Sequence, residues 1–353
     1  MKHTIPFMTI LLMIVASCSE TKPPQVHREL NSVYYWKTEF RLDSIERNFI
    51  EQHDIRRLYL RFFDVVAEDN HTVSPQWGKK DILPNATLKF IDSIPKSIIE
   101  VVPTVYITLD ALKAIKGKEF DAASKIVHRI LNMVSYNEVP NVSELQLDCD
   151  WTNSTDSIYF KLCTAVRDTL NALSGTDYVL SSTIRLHQLN KAAPPVDYGV
   201  LMCYNTGSFK NPKTKNSILD YSDVEPYLRS TIKYPLHLDV AFPTYSWSLC
   251  YRDNKFLGIL RADSIAHESI TKEIENGLYQ ATANAQIGKT ALRAGDYIRN
   301  EISDIGTILK VKSLIERRLQ VEHRSTILYH LDSKHLKHYN TDEINKILSR
   351  DSI

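Results

Sequence analysis

Two aspartates separated by one residue are the strongest chemical signal in this sequence. They lie in the apolar stretch Glu144–Trp151, which predicts a β-strand whose alternation places Asp148, Asp150 and Thr152 on one face. Carboxylates near the end of a buried strand are costly unless they act on a ligand or accept hydrogen bonds. The pair therefore predicts either general acid–base chemistry or a structural pair satisfied by hydroxyls and arginines.

Large aromatic side chains provide a second signal. Trp77 lies in a long segment after the second predicted strand, and Trp247 follows the seventh one together with Tyr245. Such rings combine a broad apolar face with a polar edge, which suits stacking on sugar rings. Packing in the core is the alternative for these residues, and it is the role that we expect for Trp36 and Trp151.

Polar residues also stand at the ends of other predicted strands. Asp64, Arg185 and Asp332 each follow an apolar strand that would deliver them to one rim of a sheet, so we include them among the ligand-binding candidates. His187 and His330 could act as acid–base groups, although we expect structural roles for both.

Several function classes are disfavoured. The 43 basic and 42 acidic residues give a net charge of +1, which argues against a nucleic-acid-binding face. The segment 288–290 resembles the end of a phosphate-binding loop but lacks its first glycine, and His267-Glu268 lacks the second histidine of a zinc helix. We therefore expect neither a cofactor nor a metal site.

The rest of the chain alternates predicted strands with predicted helices. Eight strands at crossover spacing favour a (β/α)8 barrel, because an open doubly wound sheet would carry a glycine-rich first turn that is missing here. The eight predicted strands are Val33–Phe40, Arg57–Phe63, Ile99–Thr108, Glu144–Trp151, Tyr178–Leu186, Tyr198–Tyr204, Pro235–Phe242 and Thr326–Leu331.

Two long connections interrupt this alternation. The first, Asp64–Ser97, follows the second strand, and the other, Thr244–Arg299, follows the seventh and contains a possible hairpin around Leu278–Leu292. Long connections of this kind are usually functional. Both emerge at the end of the barrel where sites are built, and we assign residues 31–353 to one barrel domain.

The N-terminus has the features of an export signal. An apolar run, Ile5–Val15, follows Lys2 and is too short to span a bilayer, and it ends in Val15-Ala16-Ser17-Cys18. This pattern resembles a bacterial lipoprotein signal, which implies a signal peptide at residues 1–17, a lipid on Cys18, a polar tether at residues 18–30 and attachment to a membrane of the cell envelope. An ordinary cleaved signal is the alternative.

Four further cysteines are too few for a disulfide framework in an exported protein. We expect buried thiols, but the sequence leaves their disulfide state open. They are Cys149, Cys163, Cys203 and Cys250.

Three fragments in order resemble family 18 glycoside hydrolases, the chitinase-like enzymes. The segment 148–152 (DCDWT) resembles that family's strand-four pattern, 201–205 (LMCYN) its strand six, and 239–245 (DVAFPTY) its strand seven. The resemblance implies a barrel, an amino-sugar glycan as ligand, a site at Asp148 and Asp150, and a ligand contact at Tyr204.

This sequence departs from the family pattern at functional positions. The family's catalytic glutamate falls on Thr152, its first aspartate on Leu145, and the aspartate after its strand-six tyrosine on Asn205, which we keep as a ligand-binding candidate. We therefore expect a lipid-anchored barrel that binds glycan without chitinase-type hydrolysis. The alternatives are an active glycosidase with Asp150 or Asp64 as the acid, and a structural lipoprotein without a sugar site.

Overall fold

The computed structural model describes residues 29–67, 81–174, 178–260, 270–288, 290–320 and 325–349. The strands, numbered in chain order, are β1 (Ser32–Tyr35), β2 (Glu39–Phe40), β3 (Arg57–Ala67), β4 (Ile82–Asn85), β5 (Lys89–Phe90), β6 (Glu100–Ile107), β7 (Glu144–Asp148), β8 (Val179–Arg185), β9 (Tyr198–Met202), β10 (Leu238–Pro243), β11 (Ser246–Arg252), β12 (Lys255–Leu260), β13 (Thr271–Glu275), β14 (Leu278–Ala281), β15 (Ala285–Ile287), β16 (Thr290–Leu292), β17 (Tyr297–Ile302) and β18 (Thr326–Tyr329). The helices are α1 (Ser44–Gln52), α2 (Leu109–Ala114), α3 (Glu119–Tyr136), α4 (Asp156–Ser174), α5 (Tyr221–Val224), α6 (Ile305–Arg318), α7 (Ser333–Leu336) and α8 (Thr341–Leu348).

Eight parallel strands close into a barrel. Their order is β1-β18-β10-β9-β8-β7-β6-β3, and β1 pairs back with β3 through the partners Ser32 and Arg57. The short strand β4 extends the sheet as an antiparallel hairpin with β3. The structure confirms the (β/α)8 barrel, and each of the eight predicted strands supplies one barrel strand.

Amphipathic helices cover the outside of the barrel. In α3 the buried residues recur at helical spacing along one face, which packs inward. In α1 the Asp43 side chain accepts a hydrogen bond from the Glu46 backbone amide at 2.9 Å, and the Glu46 carboxylate accepts one from the Asp43 amide at 3.3 Å. This reciprocal cap fixes where α1 begins.

Hydrogen-bonding side chains fill the barrel interior. The Tyr34 hydroxyl donates to Gln146 Oε1 at 2.7 Å, Gln146 Nε2 donates to Ser181 Oγ at 3.3 Å, and Ser181 Oγ donates to Glu144 at 2.5 Å. Glu144 and Gln146 alternate with Asp148 along β7, so all three face inward. These hydrogen bonds connect β1, β7 and β8 inside the barrel, on the same face of β7 as Asp148.

The long connection after β10 builds a second sheet. Its strands run in the order β12-β11-β17-β14-β13, and a small core of its own forms from Cys250, Leu260, Ile287, Leu292 and Ile298. The hairpin expected around Leu278–Leu292 is narrower than predicted. It comprises β15 and β16, because β14 pairs with β13 and β17 instead.

The first and fourth barrel strands end three or more residues before their predicted ends. The first ends at Tyr35, and Glu39–Phe40 pairs with β5 instead of continuing the barrel strand. The fourth ends at Asp148 instead of Trp151, because the residues after Asp148 leave the sheet and turn into α4. This early ending changes where Asp150 points.

Two of the predicted site residues, Cys18 and Trp77, lie outside the described residues. The four later cysteines are buried thiols without a disulfide bond. Among the described residues, every helix is too short or too polar to span a bilayer.

Candidate functional site

Asp148 occupies the carboxyl-terminal mouth of the barrel, with its side chain only 4% exposed. Its Oδ1 accepts hydrogen bonds from Thr183 Oγ1 at 2.6 Å and from Arg185 Nη2 at 2.9 Å. Burial alone would lower the pKa of Arg185, but the carboxylate of Asp148 beside it holds that pKa above its ordinary value. In both contacts Asp148 Oδ1 serves as a hydrogen-bond acceptor.

Arg185 keeps bonding capacity after it has paired with Asp148. Among the described residues, its second amino group, Nη1, is buried and has no hydrogen-bond partner. The side chain as a whole is 21% exposed, so the guanidinium borders the mouth. An unpartnered buried donor is costly, and the oxygen of a bound molecule would satisfy it.

Asp150 does not join Asp148 inside the barrel, contrary to the prediction of a shared strand face. The Asp150 side chain is 52% exposed, and its Oδ1 lies 2.7 Å from His187 Nε2. The other ring nitrogen of His187 lies 3.3 Å from Lys191 Nζ. Because β7 has already ended, the two carboxylates belong to different environments.

Thr152 also leaves the predicted face. Its backbone amide donates to Thr155 Oγ1 at 3.0 Å, and its carbonyl accepts from the Thr155 amide at 2.9 Å, in the turn that begins α4. Trp151 is fully buried and stacks on Tyr159, which confirms its expected core position. Within this segment Asp148 faces the mouth, Trp151 packs in the core, and Thr152 lies in the turn that begins α4.

Three tyrosines pack together at the mouth. Tyr204, two residues beyond β9, stacks on Tyr329 with ring centroids 4.2 Å apart, and Tyr245 meets both rings edge-on. The Tyr245 hydroxyl donates to Asn205 Oδ1 at 2.6 Å, and Asn205 itself is exposed. Burial raises the pKa of Tyr204 and Tyr245 well above the ordinary value, so both hydroxyls stay protonated.

Trp247 extends this aromatic group onto the second sheet. Its ring meets Tyr245 at 5.5 Å and Phe209 at 6.0 Å, and its Nε1 donates to Glu301 Oε2 at 2.6 Å. Glu301 also accepts from Arg299 Nε at 2.6 Å. The indole is therefore fixed at its polar edge, while the side chain remains only partly buried.

On the opposite flank, Asp64 forms an ion pair with Arg61. The guanidinium donates through Nε to Asp64 Oδ1 at 2.7 Å and through Nη2 to Oδ2. Its central carbon lies 5.5 Å from the ring of Trp36, whose ring centroid is 5.6 Å from that of Tyr329. Trp36 therefore belongs to the rim of the mouth and is not the fully buried core residue that we predicted.

Asp332 lies just past β18, where its side chain caps α7 by accepting from the Lys334 amide at 3.0 Å. His330 and His335 stand on either side of it, and metal-binding atoms of the three residues lie within 4.8 Å of one another. Burial lowers the pKa of His330 to about 4, although the Asp332 carboxylate opposes this shift. The imidazole of His330 is thus neutral at physiological pH.

Sequence reasoning missed two parts of this mouth. Tyr329 touches Tyr204, Tyr245 and Trp36 and stands at its centre, and Arg61 holds Asp64. Both face inward near the ends of barrel strands. Strand alternation is the signal that would have found Tyr329, since it lies two residues after the buried Ile327.

The similarity of this chain to known proteins lies in its fold. No protein-family model matches the sequence, and no curated protein matches it. Solved structures that share its fold include a chitinase from Chromobacterium violaceum, with 11% identity and a TM-score of 0.50 over 92% of this chain and 100% of that one. A class V chitinase from Nicotiana tobaccum gives 13% identity and a TM-score of 0.50, again over 92% and 100%.

A chitinase-like agglutinin from Robinia pseudoacacia is similar to the same degree. It shares 11% identity and a TM-score of 0.50 over 89% of this chain and 99% of that chain. At these identities the likeness concerns the fold. The chain therefore has the barrel seen in chitinases, and its chemistry must be argued from its own residues.

Proposed function

We propose that this protein is a lipid-anchored glycan-binding barrel that does not hydrolyse its ligand by the chitinase mechanism. The observation that carries the proposal is the pair of Asp148 and Arg185 under an aromatic rim. Asp148 is held as an acceptor, and Nη1 of Arg185 is a buried donor without a partner among the described residues. Sugar hydroxyl and acetamido groups can satisfy both kinds of site.

The rim supports a carbohydrate ligand in particular. Trp36, Trp247 and Tyr329 are only partly buried, and the charges of Asp148 and Arg185 act on the Tyr329 hydroxyl. Exposed aromatic faces beside fixed polar groups match the alternating apolar faces and hydroxyl edges of a sugar ring. Solved structures with this fold include both chitinases and a chitinase-like agglutinin, which favours an amino-sugar oligomer as the ligand.

Two positions argue against chitinase-type hydrolysis. The resemblance to family 18 enzymes requires a glutamate as proton donor at position 152, and the threonine found there takes part in the turn into α4. Asp148 Oδ1 already accepts hydrogen bonds from Thr183 and Arg185, so its carboxylate serves as an acceptor. Binding without turnover is the function that these residues favour.

The proposal is tested by calorimetry and by product analysis on the same protein. Wild-type protein titrated with N-acetylglucosamine oligomers should release heat at a defined stoichiometry. Chromatography after prolonged incubation should then recover the oligomers at their original length. Absence of binding across a broad glycan panel, with the protein folded, would remove the proposal and favour a structural lipoprotein.

One observation favours a second candidate, an active glycosidase. The carboxylate of Asp150 is accessible to solvent and hydrogen-bonded to His187, an arrangement in which a proton can be delivered to a ligand. In that case wild-type protein would shorten the oligomers, and Asp150→Asn would retain binding while abolishing turnover. Intact oligomers with wild-type protein would exclude this candidate.

The membrane anchor is a separate part of the proposal and rests on the sequence Val15–Cys18. Two or more acyl chains on Cys18 would hold the protein at a membrane stably. Cys18→Ser should therefore abolish acyl labelling and release the protein from membranes. Unchanged acylation of that variant would contradict the proposal.

A further inference from the structure

Three metal-binding side chains meet immediately after the last barrel strand. His330, Asp332 and His335 each offer one ligand atom, and these atoms all lie within 4.8 Å of one another. They fall within six consecutive residues, so the chain itself brings them together. Each side chain is partly buried, which protects the cluster from bulk water without closing it.

We propose that these residues bind one divalent transition-metal ion, with Zn²⁺ as the preferred ion. Two imidazoles and one carboxylate form a ligand set that suits zinc. Around a tetrahedral zinc with bonds of about 2.1 Å, neighbouring ligand atoms are roughly 3.4 Å apart, so the cluster must tighten by about 1.4 Å at most. Three protein ligands leave a fourth position for water or for an oxygen of a bound molecule.

The hydrogen bonds around the cluster are compatible with metal binding. His330 Nδ1 is buried and has no hydrogen-bond partner among the described residues. His335 Nδ1 accepts a hydrogen bond from the Ser246 amide at 3.3 Å and lies 3.2 Å from Ser246 Oγ, and these contacts orient the ring. Asp332 uses Oδ1 to cap α7, and a carboxylate has further lone pairs to offer an ion.

The positive charge of Lys37 is already neutralised by an ion pair. Lys37, whose charge acts on His330, forms an ion pair of 2.5 Å with the fully buried Glu46. The Glu46 carboxylate also accepts a hydrogen bond from the Ser333 amide at 3.1 Å, next to Asp332. Because Glu46 compensates the charge of Lys37, this lysine should repel a bound metal ion only weakly.

The bound ion would steady the rim of the mouth. The ring centroid of His330 lies 5.3 Å from that of Tyr329, and the ring of His335 lies 6.5 Å from Tyr245. A metal joining the two histidines would hold the segment after β18 against both tyrosines. This role does not depend on glycan binding, and the two proposals can fail separately.

The test uses the full chain, treated with a chelator and dialysed, without any glycan. Titration with ZnCl₂ should show one equivalent bound, and Co²⁺ should give the intense visible absorption of a tetrahedral site. Asp332→Asn keeps a good helix cap but removes the charge, and it should weaken Zn²⁺ binding by about tenfold or more. His335→Gln should weaken it at least as much.

A matched control comes from His128, which is exposed on α3 far along the chain from the cluster. His128→Gln should bind Zn²⁺ like the wild type, and circular dichroism should show that all variants are folded. No Zn²⁺ binding by wild-type protein would overturn the inference. Binding that Asp332→Asn and His335→Gln both leave unchanged would overturn it equally.

Discussion

Charged side chains line both ends of the barrel, but the arginine at the floor is more deeply buried than the arginine at the mouth. At the floor, where the strands begin, Arg57 Nε donates to Glu100 at 2.8 Å, and its Nη1 lies 3.9 Å from Asp239. At the mouth, Arg185 pairs with Asp148, and its side chain is 21% exposed, whereas that of Arg57 is 1% exposed. Polarity alone therefore does not mark a site; a polar group that borders solvent does.

The ionisable side chains at the floor interact mainly with one another. Burial raises the pKa of Glu144 to about 8, and although Arg57 opposes this shift, Glu100 and Asp239 add to it. The Glu144 carboxyl also receives hydrogen bonds from Ser181 and Tyr198. We expect changes at the floor to alter stability, and changes at the mouth to alter binding.

The largest effect is expected from removing the buried arginine of the floor. Arg57→Met removes the cation that pairs with Glu100 and lies 3.9 Å from Asp239, so the free energy of unfolding should fall by about 3–5 kcal/mol. The exposed neighbour Arg56, paired with Asp54 at 2.5 Å, is the control, and Arg56→Met should cost at most about 1 kcal/mol. Urea unfolding measures both, and equal losses would contradict the distinction.

A smaller effect is expected at the aromatic rim. Trp247→Ala should weaken glycan binding by roughly 1–3 kcal/mol, the scale of losing one large apolar contact. Trp247→Phe keeps a ring but loses the hydrogen bond to Glu301, so it should retain most of the affinity. Calorimetry measures the glycan affinity of both variants. Full affinity in Trp247→Ala would show that Trp247 does not belong to the binding site.

The smallest effect is a pH dependence at the floor, with a slope of at most about 1.4 kcal/mol per pH unit. Because the pKa of Glu144 rises from 4.5 to about 8 on folding, the folded state holds this proton more tightly than the unfolded chain. The resulting stabilisation is complete below pH 4.5 and is lost as the pH rises through 8. Glu144→Gln should flatten this loss, as unfolding measured between pH 4 and 9 would show. If the free energy of unfolding of Glu144→Gln fell with pH as steeply as that of the wild type, another group would be responsible.

The barrel was predictable because its signals are local and repeated. Each barrel strand is a short apolar run followed by a connection, and this pattern survives errors of several residues at the ends. The fate of Asp150 was not predictable, because it depends on where β7 leaves the sheet. Alternation continued by two residues too far placed Asp150 beside Asp148, whereas the structure pairs it with His187.

The rim was predicted only in part, because it is assembled across distant segments. Tyr204 was predicted from the resemblance to family 18 glycoside hydrolases, and Tyr245 from its position after a predicted strand. Tyr329 and Trp36 join them only through barrel closure, which brings the first and last strands together. Side-chain contacts between residues about 290 positions apart leave no pattern in a single sequence.

The most direct test of the account is calorimetry of Arg185→Met with N-acetylglucosamine oligomers, beside wild-type protein. If the unpartnered Nη1 of Arg185 binds the glycan, this variant should lose roughly tenfold or more in affinity, because hydrogen bonds to charged groups contribute about 1.5–3 kcal/mol. Circular dichroism should show the variant folded. Wild-type affinity in a folded Arg185→Met protein would contradict the assignment of the mouth as the binding site.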